Sequence, residues 1–257
     1  CSSTLTTTVF MGTVTVMSGG VFLVSGEPVG DVSALLLMSL INSVSFALAT
    51  VAHMEALRHL PAGITFPLTR LSILAVILFS ILFLGEQPDP FQWAGIVTGF
   101  GVVLVLARDA GSEVRPQGDL RTGLIFVAVC ILCGAAAAIS SKFAALATSK
   151  AAFMALSYLL GMVLSLAIER KWRRAPSSGR PATAVRLGLS MGVLNFFGFY
   201  AFLIALESGP LSVIVLITGM HFVIAIALSA LIYRERLTPH RLLGLVLTVL
   251  AIFLLRI

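Results

Sequence analysis

Residues 56–97 read ALRHLPAGITFPLTRLSILAVILFSILFLGEQPDPFQWAGIV, and residues 205–246 read ALESGPLSVIVLITGMHFVIAIALSALIYRERLTPHRLLGLV. A shift of 149 positions lays the first on the second without a gap. It superposes Ala56 on Ala205, Leu57 on Leu206, Pro61 on Pro210, Thr69 on Thr218 and Ser80 on Ser229. Farther along, Leu82 falls on Leu231, Glu86 on Glu235, Pro90 on Pro239, Gly95 on Gly244 and Val97 on Val246. The punctuation carries more than the matches. In each copy an Ala-Leu helix end meets a Pro, and a mostly apolar stretch then runs to a Glu. A Pro follows four residues later and a Gly five beyond that. Self-similarity at a fixed offset marks an internal duplication.

The chemistry of the unit follows from composition. Hydrophobic residues make up 58% of the chain and charged residues only 11%, against about 25% charged in soluble domains. Apolar runs long enough to cross a ~30 Å hydrocarbon layer as helix recur along the whole length. The short alternation of a membrane β-barrel is absent from the sequence. Nine spans are predicted, at about residues 5–24, 32–57, 62–84, 91–107, 122–140, 151–168, 187–206, 211–233 and 242–255. A small polar break separates the fifth from the sixth, near residues 142–150. The fold class is therefore an all-α polytopic membrane protein, an inverted-repeat helical bundle with nine spans present of an expected ten (5+5). Residues 1–109 form the first repeat with four spans, residues 110–121 a charged linker, and residues 122–257 the second repeat with five. The offset carries Thr122 back to a point about 28 residues before Cys1, the length of one helix and a turn, so the expected parent has one span more.

An odd number of spans per repeat makes the two repeats enter the membrane from opposite sides. The loops at Arg58 and at residues 108–121, 170–186 and 234–241 hold all but four of the 17 Lys and Arg. The other four are Arg70 and Lys142, in or at the end of spans, and Lys150 and Arg256. By the positive-inside rule the basic loops are cytoplasmic and the C-terminus lies outside. The net charge of +6 thus resides in loops between spans and is not a nucleic-acid footprint.

The segments at residues 205–210 (ALESGP) and 233–244 (YRERLTPHRLLG) closely resemble the repeat of the EamA-type carriers of the drug/metabolite transporter superfamily. Residues 56–63 (ALRHLPAG), residues 84–86 and Pro90 match the same pattern, and Glu-x-x-x-Pro stands in both halves. The resemblance covers nearly the whole chain. It implies a ten-helix inverted-repeat carrier of small metabolites with both termini in the cytoplasm, which differs from the charge count on the C-terminus.

Candidate site residues follow from polar groups inside apolar spans, where they are costly and usually functional. Arg70 lies near the middle of the span 62–84 and His221 at the middle of its counterpart, 211–233. The offset equates Arg70 with Gly219 and His221 with Ser72. Arg70 is read as a fixed cation for an anionic group, with His221 as partner or gate and Pro67 loosening the helix beside them. Both are also compatible with an Arg that snorkels and a neutral core His. Asn195, Phe199 and Phe202 recur at i, i+4 and i+7 and share one helix face. They form either a core stripe or the wall of a substrate cavity, and Asn42 is the candidate counterpart in the first repeat. Glu55 and Glu207, near span ends, are possible proton-coupling groups. Glu86 and Glu235 read first as carboxylates capping the N–H groups at the start of the following helix.

Gly95-x-x-x-Gly99 allows close helix approach, either within the bundle or across a homodimer seam. Trp93 and Trp172 are read as interfacial anchors. Cys130 and Cys133 form a CxxC inside an apolar helix and are read as inert packing residues. The four histidines show no zinc pattern, and no phosphate-binding Gly-x-x-x-x-Gly-Lys occurs, so no cofactor is expected. The leading functional expectation is a secondary transporter moving a small anionic or amphipathic metabolite, such as an amino acid, by alternating access in a bacterial cytoplasmic membrane. Its partners are the small-molecule substrate and the lipid bilayer, with no nucleic acid and a possible homodimer. The same fold would serve a lipid flippase or a non-transporting assembly partner. A membrane-embedded enzyme is disfavoured by the lack of paired carboxylates or a nucleophile set within the spans.

Overall fold

A computed structural model describes residues 3–60, 65, 68–110, 119–171, 181–220 and 239–256. Pro67, His221, Glu235 and Trp172 lie outside these residues. The described elements are helices: α1 Ser3–Ser25, α2 Val32–His59, α3 Ser72–Phe83, α4 Pro90–Ala110, α5 Leu120–Ala147, α6 Lys150–Lys171, α7 Pro181–Ser208, α8 Leu211–Gly219 and α9 Pro239–Arg256. Among the described residues, five regions are long and apolar enough to cross a membrane: Leu5–Ser25, Val32–His59, Leu120–Ala147, Lys150–Ala167 and Pro181–Ser208. Large apolar side chains face outward, with Val24 89% and Leu194 74% exposed. In water such a surface would drive aggregation, whereas in lipid it needs no cover.

The offset of 149 persists in three dimensions. Shifted forward, α2 (32–59) becomes 181–208, the bounds of α7, and Pro90 at the start of α4 becomes Pro239 at the start of α9. Helix α1 (3–25) becomes 152–174, against 150–171 for α6. Counterparts also pack on one another, α1 on α6 and α4 on α9. The polar break expected near residues 142–150 is far shorter. Helix α5 runs on to Ala147, because the hydroxyls of Ser140 and Ser141 bond back to the Ala137 carbonyl at 2.9 and 2.8 Å. Lys142 is accommodated by donating from Nζ to the Leu206 carbonyl at 2.5 Å, an acceptor in the last turn of α7.

The chain forms two compact units, residues 1–48 with 136–208 and residues 49–135 with 209–257. Each draws on both sequence halves. In the first unit α1 lies against α6 and α7. A Cβ added at Gly188 would stand 2.8 Å from Val9 Cβ, and one at Gly192 would stand 2.6 Å from Thr13 Cβ. The spacing Gly188-x-x-x-Gly192 thus brings α7 onto the backbone of α1. The offset equates these glycines with Ser39 and Ser43, both buried, and Ser43 Oγ donates to the Ser157 carbonyl of α6 at 2.7 Å. One end of this unit is fastened by backbone bonds, Asp31 N–H to Ala147 O at 3.1 Å and Ser149 N–H to Val29 O at 3.0 Å. Gly30 permits the clasp: its φ is 80°, and an added Cβ would collide with the Ala147 carbonyl.

In the second unit, the Gly95-x-x-x-Gly99 motif faces its own chain. A Cβ at Gly95 would lie 2.8 Å from Leu255 Cγ of α9, and one at Gly99 would lie 2.7 Å from Met220 Cε. A dimer would have to use some other face. Helix α4 opens with a capping box, in which Gln92 N–H donates to Asp89 Oδ1 at 2.7 Å and Asp89 N–H to Gln92 Oε1 at 3.2 Å. That leaves Glu86 free for a different helix. Its carboxylate caps α8, accepting from Leu211 N–H at 2.6 Å, Ser212 N–H at 3.1 Å and the Ser212 hydroxyl at 2.6 Å. Glu86 caps, as the sequence implies, but it caps a helix 125 residues on rather than the one that follows it. Gly85, at φ 66°, makes the turn that aims it.

Candidate functional site

The span expected at 62–84 is broken. Leu71 N–H bonds the Leu68 carbonyl at 3.0 Å and Ile73 N–H the Arg70 carbonyl at 3.0 Å, three-residue closures that end one helical piece before α3 begins at Ser72. In the counterpart segment α8 ends at the equivalent place, Gly219, and Met220 N–H bonds the Ile217 carbonyl at 3.1 Å; the residues that follow lie outside those described. The offset carries Leu68 and Leu71 onto Ile217 and Met220, so both copies contain the same bond. A Cβ at Gly219 would overlap Ile73 Cδ1, so glycine lets α3 seat on the end of α8. Arg70 stands at the break, partly buried, with His53 of α2 and Cys130 of α5 in its electrostatic surroundings. It belongs to the second unit.

The first unit contains a cavity of ≈ 250 Å³, near the small end of ligand sites, which run from roughly 300 to 1,000 Å³. Asn42, Asn195, Phe199 and Phe202 all line it. The face expected on α7 therefore points into open space, and the amide of α2 joins it. Phe46 and Tyr158 complete the aromatic wall, while Ser43, Ser141 and Ser157 add hydroxyls. Among the described residues, no Asp, Glu, Lys, Arg or His lines it. Helices from both halves of the sequence contribute, α1 and α2 from the first and α5, α6 and α7 from the second. Phe199 packs edge-on to Tyr158 with centroids 5.9 Å apart and stacks on Phe202 at 5.8 Å, which stiffens the wall.

Each amide is held by a neighbour. Asn42 Nδ2 donates to the Ala137 carbonyl at 2.9 Å, Ser141 Oγ at 3.0 Å and Ser140 Oγ at 3.3 Å. The Tyr158 hydroxyl donates to Asn195 Oδ1. Tyr158 is not among the residues that the sequence pattern marks as candidates. The available signal was a phenolic hydroxyl in mid-span, where a polar group needs a partner.

The two candidate coupling carboxylates are engaged with cations. Arg58 Nη1 reaches the two oxygens of Glu55 at 2.8 and 2.9 Å in the last turn of α2, and Lys150 Nζ pairs with Glu207 at 2.7 Å. Asp31 and Asp119 are N-caps outside the spans. Asp31 is held below the usual carboxylate value by the Ser33 hydroxyl and the N–H groups of Ala34 and Ser33. Asp119 is held down by the Thr122 hydroxyl and N–H.

The first unit thus holds a polar and aromatic hollow among apolar helices, and the second carries matching three-residue closures at Leu71 and Met220. The sequence profile of the EamA-like transporter family matches residues 2–108 and 121–257. A comparison with curated proteins finds no match. A solved crystal structure, described only as that of a protein, superposes with a TM-score of 0.81 at 16% identity. The alignment covers 100% of this chain and 89% of that one, and at this identity it shows the shared fold. The chain is an integral membrane protein that belongs to the EamA-like transporter family.

Proposed function

We propose that the protein is a secondary carrier that moves a small metabolite by alternating access, with residues 1–109 and 122–257 as its two repeats. The observation that carries this reading is the cavity of the first unit: a polar and aromatic hollow in an apolar chain, walled by helices of both repeats. Carrier sites form where repeats meet, and within the second unit the matching three-residue closures at Leu71 and Met220 support the same reading. Asn42, Asn195 and Phe199 are the proposed substrate contacts. Arg70 is proposed as a fixed positive charge on the route, favouring amphipathic or anionic solutes, with His221 as its partner. Glu55 and Glu207 are the proposed coupling carboxylates, each released from its cation partner when it takes up a proton.

The test is gradient-driven flux in proteoliposomes. Uptake that needs a solute or proton gradient and is lost in Asn195→Ala supports the carrier. Chemical turnover without net flux would replace it with an enzyme, and accelerated lipid exchange without solute flux would replace it with a flippase.

A further inference from the structure

Asn42 and Asn195 face one cavity, and their neighbours orient them oppositely. Around Asn42 the three acceptors are the Ala137 carbonyl and the hydroxyl oxygens of Ser140 and Ser141. Both hydroxyls already donate to that same carbonyl, so only the NH2 edge of Asn42 fits against them. Its carbonyl oxygen is the edge left over. Around Asn195 the Tyr158 hydroxyl donates to Oδ1, so the NH2 is the edge left over. Neither leftover atom is bonded to a described residue, and neither is among the buried polar atoms without a partner. Both therefore remain open to a small molecule. The two amides thus present one acceptor from α2 and one donor from α7 between aromatic walls, with no charged side chain among the described lining residues. An ion seated there would lose its hydration without a counter-charge.

We propose that this cavity binds an uncharged, flat, apolar-bodied group bearing both a hydrogen-bond acceptor and a hydrogen-bond donor, the pattern of a carboxamide or lactam on a ring. The ligand carbonyl accepts from Asn195, and its N–H donates to Asn42. Tyr158 is a positioning residue: it touches no ligand atom in this scheme, and it sets which edge of Asn195 is offered. The proposal rests on the carrier reading for its physiological setting, but ligand binding is measured apart from flux.

The probe is radiolabelled benzamide, bound to the purified full chain in lipid nanodiscs and measured by equilibrium dialysis at concentrations on the order of millimolar, as suits so small a ligand. Acetophenone keeps the ring and acceptor without the donor, aniline keeps the donor without the acceptor, and benzoate replaces the amide with a charge. Benzamide is expected to bind roughly three- to tenfold more tightly than acetophenone or aniline, one hydrogen bond being at stake in each comparison. Asn195→Ala and Asn42→Ala should each weaken benzamide by a similar factor. Tyr158→Phe should reduce the preference for benzamide over aniline toward unity, weaken benzamide and acetophenone alike and leave aniline unchanged, because Asn195 is then free to turn over. A purely structural role for Tyr158 would lower all affinities together. The thermal unfolding midpoint of each variant checks its fold, and the wild-type order of the four probes stands whether or not a variant folds. No benzamide binding to the wild type, or Asn195-dependent binding of benzoate as tight as benzamide, overturns the proposal. Flux of other solutes without benzamide binding sinks this ligand class and leaves the carrier. Benzamide binding without any flux does the reverse.

Discussion

Glu86 caps a helix distant in sequence, and its replacement separates a structural carboxylate from a coupling one. Its two oxygens take the Leu211 N–H, the Ser212 N–H and the Ser212 hydroxyl at 2.6, 3.1 and 2.6 Å. Helix α8 has nine residues, too few to be stable without its end groups satisfied. Loss of a side-chain cap costs about 1 kcal/mol, within a range of about 0.5–2. Ser212 is fully buried, so stripping its hydroxyl of a partner adds about 1–3 kcal/mol. Glu86→Ala should therefore destabilise the fold by about 2–4 kcal/mol. Glu86→Gln keeps one acceptor for Ser212 but turns an NH2 toward the Leu211 N–H, and about 1–2 kcal/mol is expected. Reversible chemical unfolding in detergent micelles measures both. Glu86→Ala within about 0.5 kcal/mol of the wild type, the ordinary effect of a surface change, would refute the reasoning. A Glu86→Gln protein of wild-type stability that still exchanges solute but no longer responds to a proton gradient would point to coupling instead.

Three further outcomes are expected. Gly192→Leu should part α1 from α7, since even a Cβ there stands 2.6 Å from Thr13 Cβ and 3.0 Å from the Phe10 carbonyl. A loss of about 1–3 kcal/mol is expected in the same unfolding assay, whereas Gly198→Leu, where no atom lies near, should cost far less. Asp31 has a depressed folded-state pKa, so its stabilising contribution is complete above the unfolded value near 3.8 and disappears as pH falls through the lower folded value. The wild type should lose that share of stability on acidification below about pH 4, and Asp31→Asn should not; an identical pH dependence would exclude the cap. Arg70→Leu should abolish flux with the thermal midpoint retained, and Arg70→Lys should restore part of it; normal transport of an anionic solute by Arg70→Leu would place the fixed charge elsewhere.

The parts of the fold legible from sequence were those written in residue type and spacing. The offset of 149 fixed the correspondence of α2 with α7 and of α4 with α9 because Pro and Gly mark helix ends by backbone geometry. The face of Asn195, Phe199 and Phe202 was legible because 3.6-residue periodicity places them on one side whatever lies opposite. Other features depend on what lies opposite, and periodicity does not encode that. The target of Glu86 is 125 residues away, and a carboxylate just past a helix end gives no sign of which N-terminus it will meet. The polar stretch after Ser140 was expected to break the helix, but its hydroxyls and Lys142 find acceptors on α5 and α7. The break at Leu71 had a weak local sign, the threonine that both copies place two residues before it. Thr218 bonds back to the Ile214 carbonyl at 2.7 Å, a habit that bends helices. Gly188-x-x-x-Gly192 was as visible as Gly95-x-x-x-Gly99, and its counterparts Ser39 and Ser43 would have marked it as a packing seam.

The central claim is that the cavity between Asn42 and Asn195 carries solute across the membrane, and exchange tests it most directly. Proteoliposomes would be loaded with an isotopically labelled metabolite extract, placed in the same extract unlabelled, and their contents read by mass spectrometry over time. The account predicts that at least one metabolite exchanges label faster than in protein-free vesicles, unchanged in mass apart from the label, and that Asn195→Ala abolishes this exchange. Exchange that persists at the wild-type rate in a folded Asn195→Ala protein, or a complete lack of exchange by the wild type, would contradict it.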